Sequence, residues 1–303
     1  MASTVTRAEA QPDDQAAEQR PEWGMSDEQL ATHPTVFAPD LLDGQVALIS
    51  GGGSGMGKAM AFLMARLGAQ VVICGRREHK LEQTAGAIER LLGKQVDFQA
   101  MTIRDPEMVG ELMDRTWQRH GRLDLLINNG GGQFPQAAID FSVKGWNAVI
   151  DTNLNGSWYM MQAAAKRWRD HGQPGSIVNI VANVWKGMPQ VAHTCAARAG
   201  VIYLSKTLST EWAPLNIRVN CVSPGSIETE GFNVYPEGAA EKFKDSNPMR
   251  RTGNAYDIAQ AVVYLCAPSG SFITGEVLVV DGGNQQWGTV WPGGKPDYFK
   301  IED

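Results

Sequence analysis

The chain has 303 residues, 43% of them hydrophobic, enough for one large parallel-sheet domain of about 250 residues. A net charge of −6 argues against a nucleic-acid partner, which requires a clustered basic surface to displace counterions. Cys74, Cys195, Cys221 and Cys266 are widely spaced with no Cys-x-x-Cys pair, so neither a metal site nor a disulfide framework is expected. The longest apolar runs are far short of the roughly 20 residues a membrane span needs.

Residues 1–40 are expected to be a partly disordered N-terminal extension: Met1 to Pro21 mix Ala, Gln, Asp, Glu and Pro without a signal-peptide core. The final residues, Lys300 to Asp303, match no C-terminal address, and a cytosolic location is the expectation. A single domain is expected over 41–283, with a lid at 228–248, followed by a tail at 284–303. Trp287, Trp291 and Tyr298 make that tail too aromatic for a solvated linker.

In chain order, short runs rich in β-branched residues alternate with amphipathic stretches. The strands are predicted at Val46 to Ser50, Val71 to Cys74, Val96 to Met101, Leu125 to Asn128, Ser176 to Val181, Arg218 to Ser223 and Val277 to Val280. Helical spacing over Lys58 to Leu67, Met108 to His120 and Cys195 to Trp212 predicts helices between them. Such alternation predicts an α/β fold, a Rossmann-type doubly wound parallel sheet of seven strands.

Between the first strand and first helix lies Ser50-Gly51-Gly52-Gly53-Ser54-Gly55-Met56-Gly57-Lys58. Glycines there let backbone amides approach a pyrophosphate, and the helix N-terminus adds unpaired N–H groups and a positive dipole end, so a dinucleotide is expected. The second strand ends in Cys74-Gly75-Arg76-Arg77, where an acidic residue would accept from the 2′-hydroxyl of NAD. Two guanidinium groups there favour the 2′-phosphate of NADP(H), although the pair also suits the start of a solvated helix.

These residues, with Asn128-Asn129-Gly130-Gly131, Thr152-Asn153-Leu154-Asn155-Gly156, Pro224-Gly225 with Thr229, and Asp281-Gly282-Gly283, resemble the short-chain dehydrogenase/reductase superfamily from about Leu41 to Gly283. The resemblance implies an oxidoreductase, usually a homotetramer joined through helices around Trp146 to Arg169 and Cys195 to Trp212. It also implies that Gly51, Gly53, Ser54, Gly55, Met56, Arg76, Arg77, Ile103, Asn129, Gly130, Gly131, Arg198, Pro224, Gly225, Ile227 and Thr229 contact the cofactor. Asn129 and Gly130 would line the adenosine ribose and Ile227 the carboxamide. Thr102 stands where the family often has an acidic residue near the adenine.

The family's usual catalytic Ser, Tyr and Lys are missing: Val181 and Ala182 fall at the serine, Thr194 at the tyrosine and Arg198 at the lysine. The nearby Tyr203 lies on a different helix face from Arg198. The stretches Gly130-Gly131-Gly132-Gln133-Phe134, Lys144-Gly145-Trp146 and His193 to Val201 resemble the enoyl-CoA and 2,4-dienoyl-CoA reductase branch, and within it peroxisomal trans-2-enoyl-CoA reductase is the most similar. That resemblance implies NADPH-dependent reduction of an enoyl thioester, in which charge develops on the thioester oxygen.

An oxyanion needs donors, for which Thr194 and an amide from Asn153 or Asn155 are candidates, with Arg198 beside the nicotinamide ribose. The carbon proton could come from His193, Lys186 or water. Thr194 also suits a helix cap, and His193 a satisfied core histidine. Gln133, Phe134, Trp185, Met188, Phe232 and Tyr235 are candidate acyl-pocket walls, while Lys166, Arg167 and Arg169 suit either CoA phosphates or a solvated face. A carbonyl or hydroxyl dehydrogenase with a different acid, and a silent NADP-binding protein, are the competing readings.

Overall fold

The computed structural model describes residues 23–234 and 240–287. In chain order, the elements are α1 (Asp27–Thr32), β1 (Val46–Ser50), α2 (Gly55–Arg66), β2 (Gln70–Gly75), α3 (Glu78–Leu92), β3 (Val96–Ala100), α4 (Pro106–His120) and β4 (Leu125–Asn128). Next come α5 (Val143–Ile150), α6 (Gly156–His171), β5 (Gly175–Ile180), α7 (Ala192–Glu211), β6 (Ile217–Pro224), β7 (Ile227–Glu228), β8 (Gly253–Asn254), α8 (Ala255–Cys266) and β9 (Val277–Val280).

Seven strands form one parallel sheet in the order β3-β2-β1-β4-β5-β6-β9, while β7 and β8 make a separate two-residue pair. The chain winds outward from β1 to β3, then restarts beside β1 at β4. The winding therefore reverses between β1 and β4, and the crevice at their carboxyl ends is where doubly wound proteins hold ligands. Ser50 pairs with Asn128 at that crevice.

All five residues of β1 are buried, so the strand reads as a continuous apolar run rather than an alternating one. Its side chains still alternate. Ala47 and Ile49 join Phe62 of α2, Ile88 of α3 and Ile258 of α8 on one face. Val46 and Leu48 join Leu112 of α4, Met161 and Trp168 of α6, and Leu208 of α7 on the other. Trp168 is fully buried and its Nε1 donates to the Leu123 carbonyl at 2.7 Å, so truncation to alanine should cost about 3–5 kcal/mol.

Side-chain caps start some of the helices: Asp105 accepts from the amides of Glu107 and Met108 ahead of Pro106 at α4, and Asn254 with Asp257 forms a reciprocal capping box on α8. All seven predicted strands occur, with ends displaced by at most one residue.

Within the expected N-terminal extension, the described part begins at Trp23 and packs on the body: Leu30 of α1 is buried, and Asp27 pairs with Lys58 of α2. Of the expected lid, short turns at Glu230–Val234 and Ala240–Ser246 are described, with Phe232 buried between the rings of Trp23 and Phe243. Tyr235, Trp291, Tyr298 and residues 1–22 lie outside the described residues. Among the described residues no helix is long and apolar enough to cross a membrane.

Candidate active site

A cleft of about 580 Å³ opens at the β1/β4 crevice. It gathers most of the residues expected to bind cofactor: Gly51, Gly53, Ser54, Gly55, Met56, Arg76, Arg77, Ile103, Asn129, Gly130, Gly131 and Thr229. Lys80, Leu81, Thr152 and Glu230 also line it, and sequence reading missed them.

The glycine loop is held by side chains from β1 and β4. The Ser50 hydroxyl accepts from the amides of Asn129 (3.1 Å) and Gly130 (2.9 Å), and Asn129 Nδ2 donates to the carbonyls of Ser50 and Gly51. Gly57 lets α2 pack directly on this loop, because a Cβ there would lie 2.1 Å from the Gly51 oxygen. The first turn of α2 thus faces the cleft with free amides. One is already engaged: the Gly55 N–H donates to Glu230 Oε2 at 3.0 Å.

Arg76 and Arg77 stand at the carboxyl end of β2, and Arg77 Nη2 donates to Ser54 Oγ at 3.4 Å across the cleft mouth. Ile103 is 8% exposed and packs against Gly130 and Gly156. The remaining cofactor candidates lie further along the sheet edge. Pro224 ends β6 in register with Val280 of β9, and Gly225 fits there because a Cβ would meet Asp281 Cα at 2.7 Å. The Ile227 side chain is buried in the core against Gly253, so any contact from this residue to a carboxamide falls to its backbone.

The catalytic candidates converge beyond Gly131. The α5–α6 helix is interrupted by one wide π-type turn, Asp151–Asn155, which directs Asn153 inward; such insertions frequently mark functional sites. Asn153 Oδ1 accepts from the Gly132 N–H at 3.0 Å, and its Nδ2 donates to the Gly132 carbonyl at 3.0 Å and to Thr194 Oγ1 at 3.4 Å. The Gly132 amide fixes which end of the Asn153 amide is oxygen, so Thr194 accepts from Nδ2. The Thr194 hydroxyl proton is therefore free to donate elsewhere, and the residue is 2% exposed.

Arg198 is 7% exposed, its Nη1 is buried without a partner, and among the described residues no hydrogen bond or ion pair engages its guanidinium. Burial pushes its pKa down to about 10, with only the Cys221 sulfur acting the other way, so it stays cationic at neutral pH. An unpaired buried cation is costly unless a ligand completes it.

His193 lies behind this group. It is fully buried between the rings of Phe134 and Phe141, at centroid distances of 4.7 and 4.5 Å. Its Nδ1 accepts from the Thr194 N–H at 2.8 Å, which in the neutral ring leaves the proton on Nε2, a buried atom without a partner. Burial holds the His193 pKa below its ordinary value. Lys186 is exposed and donates to the Trp287 carbonyl, while Asn155 bonds Asp151.

Several peripheral expectations resolve structurally. Arg167 pairs with Asp114 of α4 and Arg169 with Asp170, so both guanidinium groups already have a carboxylate partner. Phe232 packs against Trp23 and Phe243 rather than lining an acyl pocket. Tyr203 is 67% exposed with Lys206 over its ring, so it does not stand in for the missing tyrosine. Burial raises the thiol pKa values of Cys74, Cys221 and Cys266 to about 12, 11 and 12, as expected of core cysteines.

Comparison with known proteins agrees with this geometry. A family model described as enoyl-(acyl carrier protein) reductase matches residues 51–285. The chain is 37% identical over 256 residues to a probable 2,4-dienoyl-CoA reductase of Bacillus subtilis, covering 83% of this chain and all of that one. It is 36% identical to the peroxisomal 2,4-dienoyl-CoA reductase of Danio rerio, over 87% of this chain and 89% of that one. Among solved structures, a short-chain dehydrogenase from Bacillus anthracis is 38% identical with a TM-score of 0.77, covering 83% of this chain and all of that one. The citronellol catabolism dehydrogenase of Pseudomonas aeruginosa is 35% identical with a TM-score of 0.74, covering 83% and 99%. With a matching family model, these relatives and the cleft at the sheet's switch point, the chain belongs to the short-chain dehydrogenase/reductase family and is an oxidoreductase that works with a nicotinamide cofactor.

Proposed function

We propose that the protein is an NADPH-dependent reductase of a conjugated enoyl or dienoyl thioester of coenzyme A. The names of the most similar relatives support the substrate class. The observation that carries the chemistry is the donor set around Gly131: a buried arginine with an orphaned Nη1 beside a threonine whose hydroxyl accepts from Asn153 and, among the described residues, donates to none.

The residues fit the dinucleotide. Amides at the start of α2 and the Arg76–Arg77 pair suit its phosphates, and Asn129 and Gly130 the adenosine ribose. The orphaned Arg198 suits the hydroxyls of the second ribose. When bound, the nicotinamide supplies a hydride to carbon.

The chain's own groups do the rest. As electrons move onto the thioester oxygen, the Thr194 O–H donates to it, held in line by Asn153, which is itself anchored on Gly132. The Arg198 cation lowers the energy of the developing negative charge without transferring a proton, since its pKa stays well above neutral. No phenol is needed, because the hydride and the single proton both end on carbon and no alcohol oxygen is protonated. His193, sealed under Phe134 and Phe141, acts as a positioning residue: it holds the Thr194 amide and backs the acyl side of the pocket. The carbon proton then comes from water or from the exposed Lys186.

A homotetramer in the cytosol is part of the same reading. Val143 of α5 and Tyr203 of α7 are 77% and 67% exposed on helices that would be covered in such an assembly. The test is NADPH oxidation with trans-2-enoyl-CoA and 2,4-dienoyl-CoA series against matched ketones. Turnover of a ketone but of no unsaturated thioester overturns the reading in favour of a carbonyl reductase.

A further inference from the structure

The glycine-loop amides that would receive pyrophosphate oxygens are not all free. The carboxylate of Glu230, brought from 175 residues away in sequence, accepts from the Gly55 N–H at 3.0 Å. Glu230 is exposed and lines the cleft with Gly231 and Asn233. It directly follows Thr229, whose Cβ and Cγ2 lie 3.4 Å from the position a Gly55 Cβ would take. A carboxylate on this amide offers the helix terminus the same charge and acceptor geometry as a phosphate oxygen. Both cannot occupy the amide together, and two anions side by side repel.

Resting on the cofactor reading above, we infer that Glu230 is a built-in competitor for the dinucleotide pyrophosphate, so that cofactor binding must displace its carboxylate from Gly55. The displaced residue belongs to a segment with a defined seat. Two residues on, Phe232 is 7% exposed and holds edge-to-face contacts with Trp23 at 5.5 Å and Phe243 at 5.0 Å. With that anchor in place, the exchange is local: the Glu230 side chain swings out while the backbone stays docked. Dinucleotide affinity is thereby held below what the glycine loop alone would give, which favours release of the oxidised product.

The test is calorimetric titration of wild type, Glu230→Gln and Glu230→Asp with NADP+ and, as a probe without phosphate at the pyrophosphate position, adenosine 2′-monophosphate. Removing the charge should tighten NADP+ about 5-fold to 30-fold, the range expected for one charge-assisted hydrogen bond plus relieved repulsion. Adenosine 2′-monophosphate should bind all three proteins equally, and Glu230→Asp should fall between the other two for NADP+. Unchanged or weaker NADP+ binding in Glu230→Gln overturns the inference, as does equal tightening of both ligands, which would mean a general field effect. If wild type binds neither NADP+ nor NAD+, the cofactor reading fails instead. Thermal melts check that the variants fold.

Discussion

Arg198 Nη2 occupies the space that any side chain on Gly131 would need: a Cβ at Gly131 would fall 2.1 Å from it and 3.0 Å from Asn153 Oδ1. The glycine is required by its neighbours, not by its own backbone, which lies outside the left-handed region.

Gly131→Ala should therefore displace the guanidinium and the Asn153 amide together. Since a shift of about 1 Å in a positioning group costs on the order of 100-fold in rate, kcat should fall by at least about that factor. Because the clash is with two buried side chains, a modest fall in melting temperature should accompany the larger loss of rate. Steady-state kinetics with an unsaturated thioester, beside a thermal melt, checks both.

The uncompensated charge of Arg198 should cost the cofactor-free protein stability. Arg198→Met should raise its melting temperature, by about 2–4 °C for each kcal/mol of relieved desolvation. The same change should weaken NADPH binding roughly 10-fold to 100-fold through lost charge-assisted hydrogen bonds. A variant that is both less stable and unaltered in binding would contradict this role.

Arg76→Glu with Arg77→Glu should separate the two dinucleotides. Binding of NADPH should weaken by about 100-fold or more, while NADH, lacking the 2′-phosphate, should bind as well or better. Parallel calorimetric titrations decide it.

His193 should leave a signature in stability against pH. Burial holds its native pKa below the ordinary value near 6.5, so the unfolded chain takes up its proton first. The contribution is complete above about pH 6.5 and is lost as pH falls through the native pKa. Urea midpoints for wild type should drop between about pH 8 and pH 5.5. In His193→Gln the value at high pH should be lower and the slope flatter.

The lining of the cleft was largely legible in the sequence because its determinants are local: Gly51 to Gly57 form one loop, and Arg76 and Arg77 follow one strand. The sequence left His193 open between a proton donor and a core histidine, because Phe134 and Phe141, which bury it, come from a loop distant in sequence. Glu230 was overlooked for the same reason. An exposed acidic residue in an irregular stretch has no motif, and only the approach of its loop to Gly55 gives it meaning.

By itself the sequence determined the layered α/β architecture, since continuous β-branched runs between amphipathic stretches bury well only as parallel strands between helices, and it determined that a glycine loop joins the first long helix to the strand before it. Tertiary structure alone decided which polar groups are left unpaired. Whether Arg198 lacks an anion, or Thr194 keeps a proton to give, depends on every neighbour the fold brings within about 3.5 Å, and no spacing along the chain encodes that inventory.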